Sequence, residues 1–264
     1  MHTGTVDKNA LYGAINEGVL AERLKAFERN LAKNALLIAR YGGVRGLIPQ
    51  FKGKHVIVIG AGPSLDRNLP LLKKYQSRRE FLLVAADMAV KPLAARGISP
   101  ACVFSCETVP VDYFGGLDTS GMHLVAFSCI SPVTLRRWQG KISFYNWMLH
   151  SADYDRLWER AGMDLGFVAT GNIITTQAVA FSLGCGVASL ILVGNDLAFS
   201  DTVYAGETEA RRVLMRKTDR CAPVETAEFA SSRRRREYEV RRGDRVYFTN
   251  SQFLAAKLWM EDLL

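Results

Sequence analysis

Apolar residues along this chain gather into short continuous runs, and the stretches between them carry helical spacing. His55–Ile59 is β-branched, apolar and ends at glycine, the pattern of a strand buried on both faces. Residues 81–85, 101–105, 123–127 and 188–193 read the same way, and 142–145 is a weaker member of the set. Leu65–Tyr75 suits a helix after the first strand, and 88–96 a short one stopped by Gly97 and Pro100. Residues 172–183 are apolar enough for a buried helix. Strands alternating with helices predict an α/β, Rossmann-like fold with a mainly parallel sheet and helices on both faces.

Both ends of the chain depart from this alternation. Residues 16–41 predict a long helix with Leu20, Leu24, Phe27, Leu31, Ala35 and Ile38 on one face, ended by Gly42 and Gly43. From 201 to 243 the hydrophobic periodicity fades, and a loop of that length is usually functional. It is expected to be a lid carrying Arg211, Arg212 and Arg216 towards anionic groups, with the run Arg233 to Arg236 as a solvated charged face. Residues 246–248 suit a last short strand or turn. Ser251 then caps a helix over 252–264 whose face offers Phe253, Leu254, Leu258 and Trp259. The expected organisation is a helical appendage (1–50), a nucleotide-binding core (51–200), and a charged lid with a C-terminal helix (201–264). The sequence ends inside a helical pattern, which leaves room for further chain.

Composition narrows the function classes. The chain has 264 residues, 48% of them apolar and 23% charged, enough for one sizeable core. No apolar run is long enough to span a membrane, and Met1 to Lys8 lacks the pattern of a secretory signal. The five cysteines form no CxxC pair, and Cys102 and Cys106 have no histidine nearby for a zinc site. Reduced thiols and a cytoplasmic location are therefore expected. The net charge of +8 suits anionic substrates. Nucleic acid is a poor fit, because the arginine run leads into Glu237, Tyr238 and Glu239 and is not interleaved with aromatics.

Ligands of open α/β sheets sit beyond the carboxyl ends of the strands. The first strand ends in Gly60-Ala61-Gly62-Pro63-Ser64-Leu65-Asp66. Gly60 and Gly62 permit a tight turn and close approach of a ligand, Pro63 can start a helix, and Ser64 can cap it or bond a phosphate. Asp66 would compete with an anion there. Leu65 stands where a dinucleotide fingerprint needs glycine, and the lysine of a Walker loop is missing. Three acids follow three strands at this edge: Asp87, Glu107 and Asp196. Acids so placed bind ribose hydroxyls, hold metals or take protons. Thr170-Gly171-Asn172 precedes the buried helix, and such a turn suits either a helix cap or a phosphate.

These blocks, in this order, resemble the MptE-like superfamily, which includes archaeal 6-hydroxymethyl-dihydropterin diphosphokinases and the motility-associated (Maf) glycosyltransferases. The resemblance runs from about Asn30 to the end of the chain. It rests on Phe51-Lys52-Gly53-Lys54 leading into Gly60 to Asp66, on Ala85-Ala86-Asp87 with Lys91-Pro92-Leu93, and on Leu183-Gly184-Cys185 leading to Gly194-Asn195-Asp196-Leu197-Ala198-Phe199. More distantly, Gly60 to Leu65 and Thr170 to Gly184 are similar to bacterial sialyltransferases that use CMP-sialic acid. The resemblance implies a nucleotide site at Gly60, Gly62, Pro63, Ser64, Asp87, Thr170, Gly171 and Asn172. Glu107 and Asp196 are then the candidate catalytic acids. The implied donor is a nucleotide-activated small molecule, a CMP-linked nonulosonate-like sugar moved to a protein or glycan acceptor. The alternatives are a diphosphokinase using ATP and Mg²⁺ on a pterin, and a non-catalytic accessory protein. Two features depart from the family patterns: the C-terminal histidine base of the sialyltransferases, and the histidine that many superfamily members carry shortly after the Gly-x-Asp-Leu block. The histidines are His2, His55, His123 and His150, so no C-terminal histidine can serve as base, and Tyr204 stands near the expected place.

Overall fold

The computed structural model describes residues 8–199, 202–208, 237–243 and 245–264. Seven strands form one parallel sheet: β1 (His55–Ile59), β2 (Phe81–Ala86), β3 (Cys102–Ser105), β4 (His123–Phe127), β5 (Lys141–Trp147), β6 (Phe167–Val168) and β7 (Ser189–Val193). Their order is β6-β5-β4-β3-β2-β1-β7. Around the sheet lie α1 (Lys8–Tyr41), α2 (Ile48–Phe51), α3 (Leu65–Tyr75), α4 (Val90–Ala94), α5 (Pro132–Arg137), α6 (Ala152–Ala161), α7 (Ile174–Gly184) and α8 (Ser251–Leu263). The fold is the expected α/β, Rossmann-like one, with a helix at each end of the chain.

The β-branched and aromatic runs form the central strands because a parallel sheet covered by helices buries both faces. Val56, Val58, Ile59, Val84, Val103 and Phe104 are fully buried. β7 differs. It pairs with β1 on one side only, and Ile191 and Leu192 remain 39% and 38% exposed. An apolar edge strand and an apolar central strand look alike in sequence. β6, two residues long, is too short to leave a pattern.

The chain places β2 to β6 successively on one side of β1 and then returns to lay β7 on the other. The carboxyl ends of β1 and β7 lie against each other, the Gly62 amide donating to the Gly194 carbonyl (2.8 Å), at the edge where such sheets take ligands.

α1 begins at Lys8, earlier than its periodicity suggested, and its inner face is Phe27, Asn30, Leu31, Asn34 and Ile38. Ala35 is exposed. Asparagine replaces an apolar residue on this face because exposed strand-end carbonyls need donors once buried. The Asn30 amide donates to the carbonyls of Thr108 (2.8 Å) and Cys129 (3.1 Å). The Asn34 amide donates to those of Ser128 (3.0 Å) and Ile130 (2.9 Å). One turn before them the Phe27 ring meets Phe127 and Trp147 edge-on.

α7 packs across β1, β2 and β3, with Phe181 against Phe51 and Phe104. The segment expected to be a lid is partly described. Residues 202–208 dock beside β1: the Ala205 amide donates to the Ala61 carbonyl (2.8 Å), and the Gly206 amide to the Asp66 carboxylate. Residues expected to lack structure form a strand, β8 (Glu237–Arg242), paired antiparallel with β9 (Arg245–Asn250). Arg211, Arg212, Arg216, the four arginines 233–236 and Cys221 lie outside the described residues. The cap of α8 is Asn250, whose side chain accepts the Phe253 amide (2.9 Å), one residue before the serine that the sequence suggested. No helix among the described residues is long and apolar enough to cross a membrane.

Candidate functional site

A cleft of about 300 Å³ opens at the carboxyl ends of β1, β2, β3 and β7. It gathers seven of the residues singled out in the sequence: Gly60, Gly62, Asp87, Glu107, Asn172, Asp196 and Tyr204. Pro63, Ser64, Thr170 and Gly171 are not part of its lining. Arg23, Tyr113 and Thr175, which sequence reading passed over, are.

The β1 loop is tight because β7 lies against it. A Cβ on Gly60 would stand 2.5 Å from the Gly194 carbonyl oxygen, and one on Gly62 would overlap the Asp196 carboxylate. Both glycines are thus demanded by neighbouring chain as well as by any ligand. Asp196 Oδ2 accepts the Ser64 hydroxyl (2.8 Å) and the Ser64 amide (3.1 Å) at the start of α3. That helix N-terminus already faces a negative charge supplied by the protein.

The other two acids differ in environment. Glu107 is half-buried. Its Oε1 accepts Arg23 Nη1 (2.8 Å) and the amides of Thr108 (2.9 Å) and Val109 (3.2 Å). Asp87 is buried. Its Oδ2 accepts the Ser105 hydroxyl (2.7 Å), and its Oδ1 the Met88 amide (2.8 Å). Burial pushes the Asp87 carboxyl up to about 7, although both hydrogen bonds pull it down. Burial also pushes the Cys106 thiol and the Tyr113 phenol beside it well up.

The turn before α7 is held from behind. The Gln177 side chain donates to Thr170 Oγ1 (3.1 Å) and accepts from Tyr145 Oη and Trp147 Nε1. Thr170 Oγ1 in turn accepts the Asn172 amide (3.2 Å). Gly171 is packed under the Trp259 ring, which a Cβ would meet at 2.8 Å. Asn172 has φ +72° and its carbonyl accepts Gln252 Nε2 (2.9 Å). α7 therefore starts at Ile174, and its N-cap is Ile173, which supplies no side-chain cap. Ile173, Ile174 and Thr175 face the cleft. The Thr175 hydroxyl is buried there without a hydrogen-bond partner. The first amides of α7 thus have no side-chain cap, and uncapped helix N-termini are in general favourable surroundings for anions. Among the described residues, no group of three or more His, Cys, Asp or Glu side chains is placed to hold a metal ion.

The missed residues had faint signals. Arg23 lies four positions before Phe27, on the inward side of α1, where a cation needs a partner. Thr175 carries no signal of its own until the turn that precedes it is known.

A parallel sheet with a polar cleft at its switch point defines an α/β protein of the Rossmann-like class. Within that class the chain belongs to the MptE-like family, described as 6-hydroxymethylpterin diphosphokinase MptE-like, whose model matches residues 29–202. Among solved structures it is similar to the MAf glycosyltransferase from Magnetospirillum magneticum AMB-1, with a TM-score of 0.53 and 16% identity. That likeness covers 78% of this chain and 29% of the enzyme, and at this identity it speaks for the fold alone. The chain thus spans less than a third of that protein's length. Among curated proteins, none matches significantly.

Proposed function

We propose that this chain is a group-transfer enzyme that takes a nucleotide-activated donor, most simply a CMP-linked nonulosonate-like sugar, and passes the activated group to a hydroxyl of a protein or glycan. The observation that carries the reading is the start of α7. Its uncapped first turn lines the cleft through Ile173, Ile174 and Thr175, the Thr175 hydroxyl lies buried just behind that surface without a partner, and the glycine turn of β1 lines the same cleft. A phosphate at that helix end would be met by backbone amides and the favourable end of the helix dipole. The rest of the nucleotide would lie along the cleft lined by Gly60, Gly62 and Asn172, and Tyr113 and Phe253 offer flat surfaces to a base. As the nucleotide departs, the same helix end stabilises the charge that develops on its phosphate.

The family description favours a second reading, diphosphoryl transfer from ATP to a pterin with Mg²⁺. One experiment separates the two. Thermal shift and calorimetry with CMP, CDP, UDP, GDP and ATP, each with and without Mg²⁺, give a large shift for CMP without metal if the first reading holds. A ligand at a hundred times its Kd stabilises by about 2.7 kcal/mol. A shift only with ATP and Mg²⁺ supports the second, and no shift with any nucleotide overturns both.

A further inference from the structure

Three carboxyl groups line the cleft, and two of them serve neighbouring elements through one oxygen each. Glu107 accepts a guanidinium and two backbone amides on one oxygen. Asp196 accepts the Ser64 amide and hydroxyl at the start of α3. Asp87 is the only buried acidic or basic residue among the described residues, yet it opens onto the cleft. It has one neutral donor on each oxygen and no cation bonded to it.

We infer that Asp87 is the group that takes the proton from the acceptor hydroxyl during transfer, the role that no histidine fills here. This rests on the transfer reaction proposed above, and it takes Asp87 out of the nucleotide-holding set to which the sequence assigned it. In the step, the acceptor O–H gives its proton to an Asp87 oxygen, and the acceptor oxygen bonds to the anomeric carbon. The bond from that carbon to the nucleotide's phosphate oxygen breaks, and its electron pair leaves with the nucleotide. Asp87 then returns the proton to solvent. Ser105 is a positioning residue: its hydroxyl fixes the carboxyl's orientation and favours its ionised form.

The groups that face Asp87 are identifiable. The end of β3 supplies Ser105, Cys106 and Glu107, and α1 supplies Arg23 through Glu107. Tyr113 follows from the loop after β3, Tyr145 from β5, and Tyr204 stands beside Tyr113. Glu107 and burial both oppose ionisation of Asp87, which poises it near neutrality, where a general base works best.

The test measures transfer from the donor that the nucleotide panel identifies, across pH 5 to 9, in the full chain. The wild-type rate is expected to rise through about pH 7 as Asp87 ionises. Asp87→Asn should lose on the order of 10²–10⁴-fold in rate, and with it this pH limb, while still binding the nucleotide by calorimetry. Ser105→Ala should move the limb to higher pH, because the carboxylate loses a donor, and a purely structural role would not do this. Asp87→Asn turning over as fast as wild type, or a limb unmoved in Ser105→Ala, overturns the assignment and leaves the transferase reading standing. A wild type that binds no nucleotide or transfers from none of the donors overturns both.

Discussion

Asp196, from the end of β7, closes the N-terminus of α3 by accepting both the hydroxyl and the amide of Ser64. The glycine-rich turn that looks most like a phosphate cradle in the sequence is thus filled by the protein's own carboxylate, and the free helix end is that of α7. Replacing Asp196 by Ala should cost about 1 kcal/mol, the usual worth of a helix cap. The check is the midpoint of a denaturant titration; an unmoved midpoint would mean that the contact contributes nothing.

Gly62 lies under that same carboxylate. Gly62→Ala should push Asp196 off Ser64 and destabilise the fold by about 1–3 kcal/mol, as overpacking commonly does. In the double variant Gly62→Ala/Asp196→Ala, part of that cost should vanish, because the obstructing group is gone. The Gly194 carbonyl, 2.8 Å from the new Cβ, keeps the rest. Strict additivity of the two single effects would contradict the contact.

Thr175→Val separates binding from folding. The hydroxyl makes no hydrogen bond within the protein, so removing it should leave the melting temperature unchanged or slightly higher. Nucleotide affinity should fall about tenfold, the worth of a hydrogen bond to a charged group. Calorimetry reads both arms. Equal affinity in the two proteins would move the phosphate elsewhere.

The raised Asp87 carboxyl makes stability depend on pH in an unusual direction. Unfolded, the group ionises near 3.8; folded, near 7. Between those values the folded protein holds a proton that the unfolded chain has lost. Stability from this group is therefore fully present below about pH 4 and declines up to about pH 7, by a total on the order of 4 kcal/mol. Asp87→Asn should remove this decline and melt higher than wild type at pH 8, with the gap narrowing at low pH. A variant that melts lower than wild type at pH 8 would contradict a buried, reluctantly charged Asp87.

Much of this arrangement was legible in the sequence because it follows local chemistry. β1, β4 and α3 fall at the residues their patterns suggested, and the acids that end β2, β3 and β7 meet at one cleft. The rest depends on contacts distant in sequence. Asn30 and Asn34 appear as polar interruptions until the carbonyls they bond, between 78 and 99 residues away, are placed beside them. Gly171 reads as a ligand turn until Trp259 is laid over it. Arg23 acquires a partner only when α1 crosses the end of β3.

The flanking of β1 by β2 on one side and β7 on the other sets a timetable for the nascent chain. His55 and Ser189, paired across this seam, are 134 residues apart. Closing so long a span is entropically slow, and contacts of that separation are made late in folding. Nine of the cleft's lining residues, from Gly194 onward, arrive only with or after that closure. Until then the β1 edge is an open template of unpaired backbone. A ribosome that has released residues 1 to 180 has made most of the sheet and none of a working site, so the interval before β7 docks is when this protein most needs a chaperone's cover.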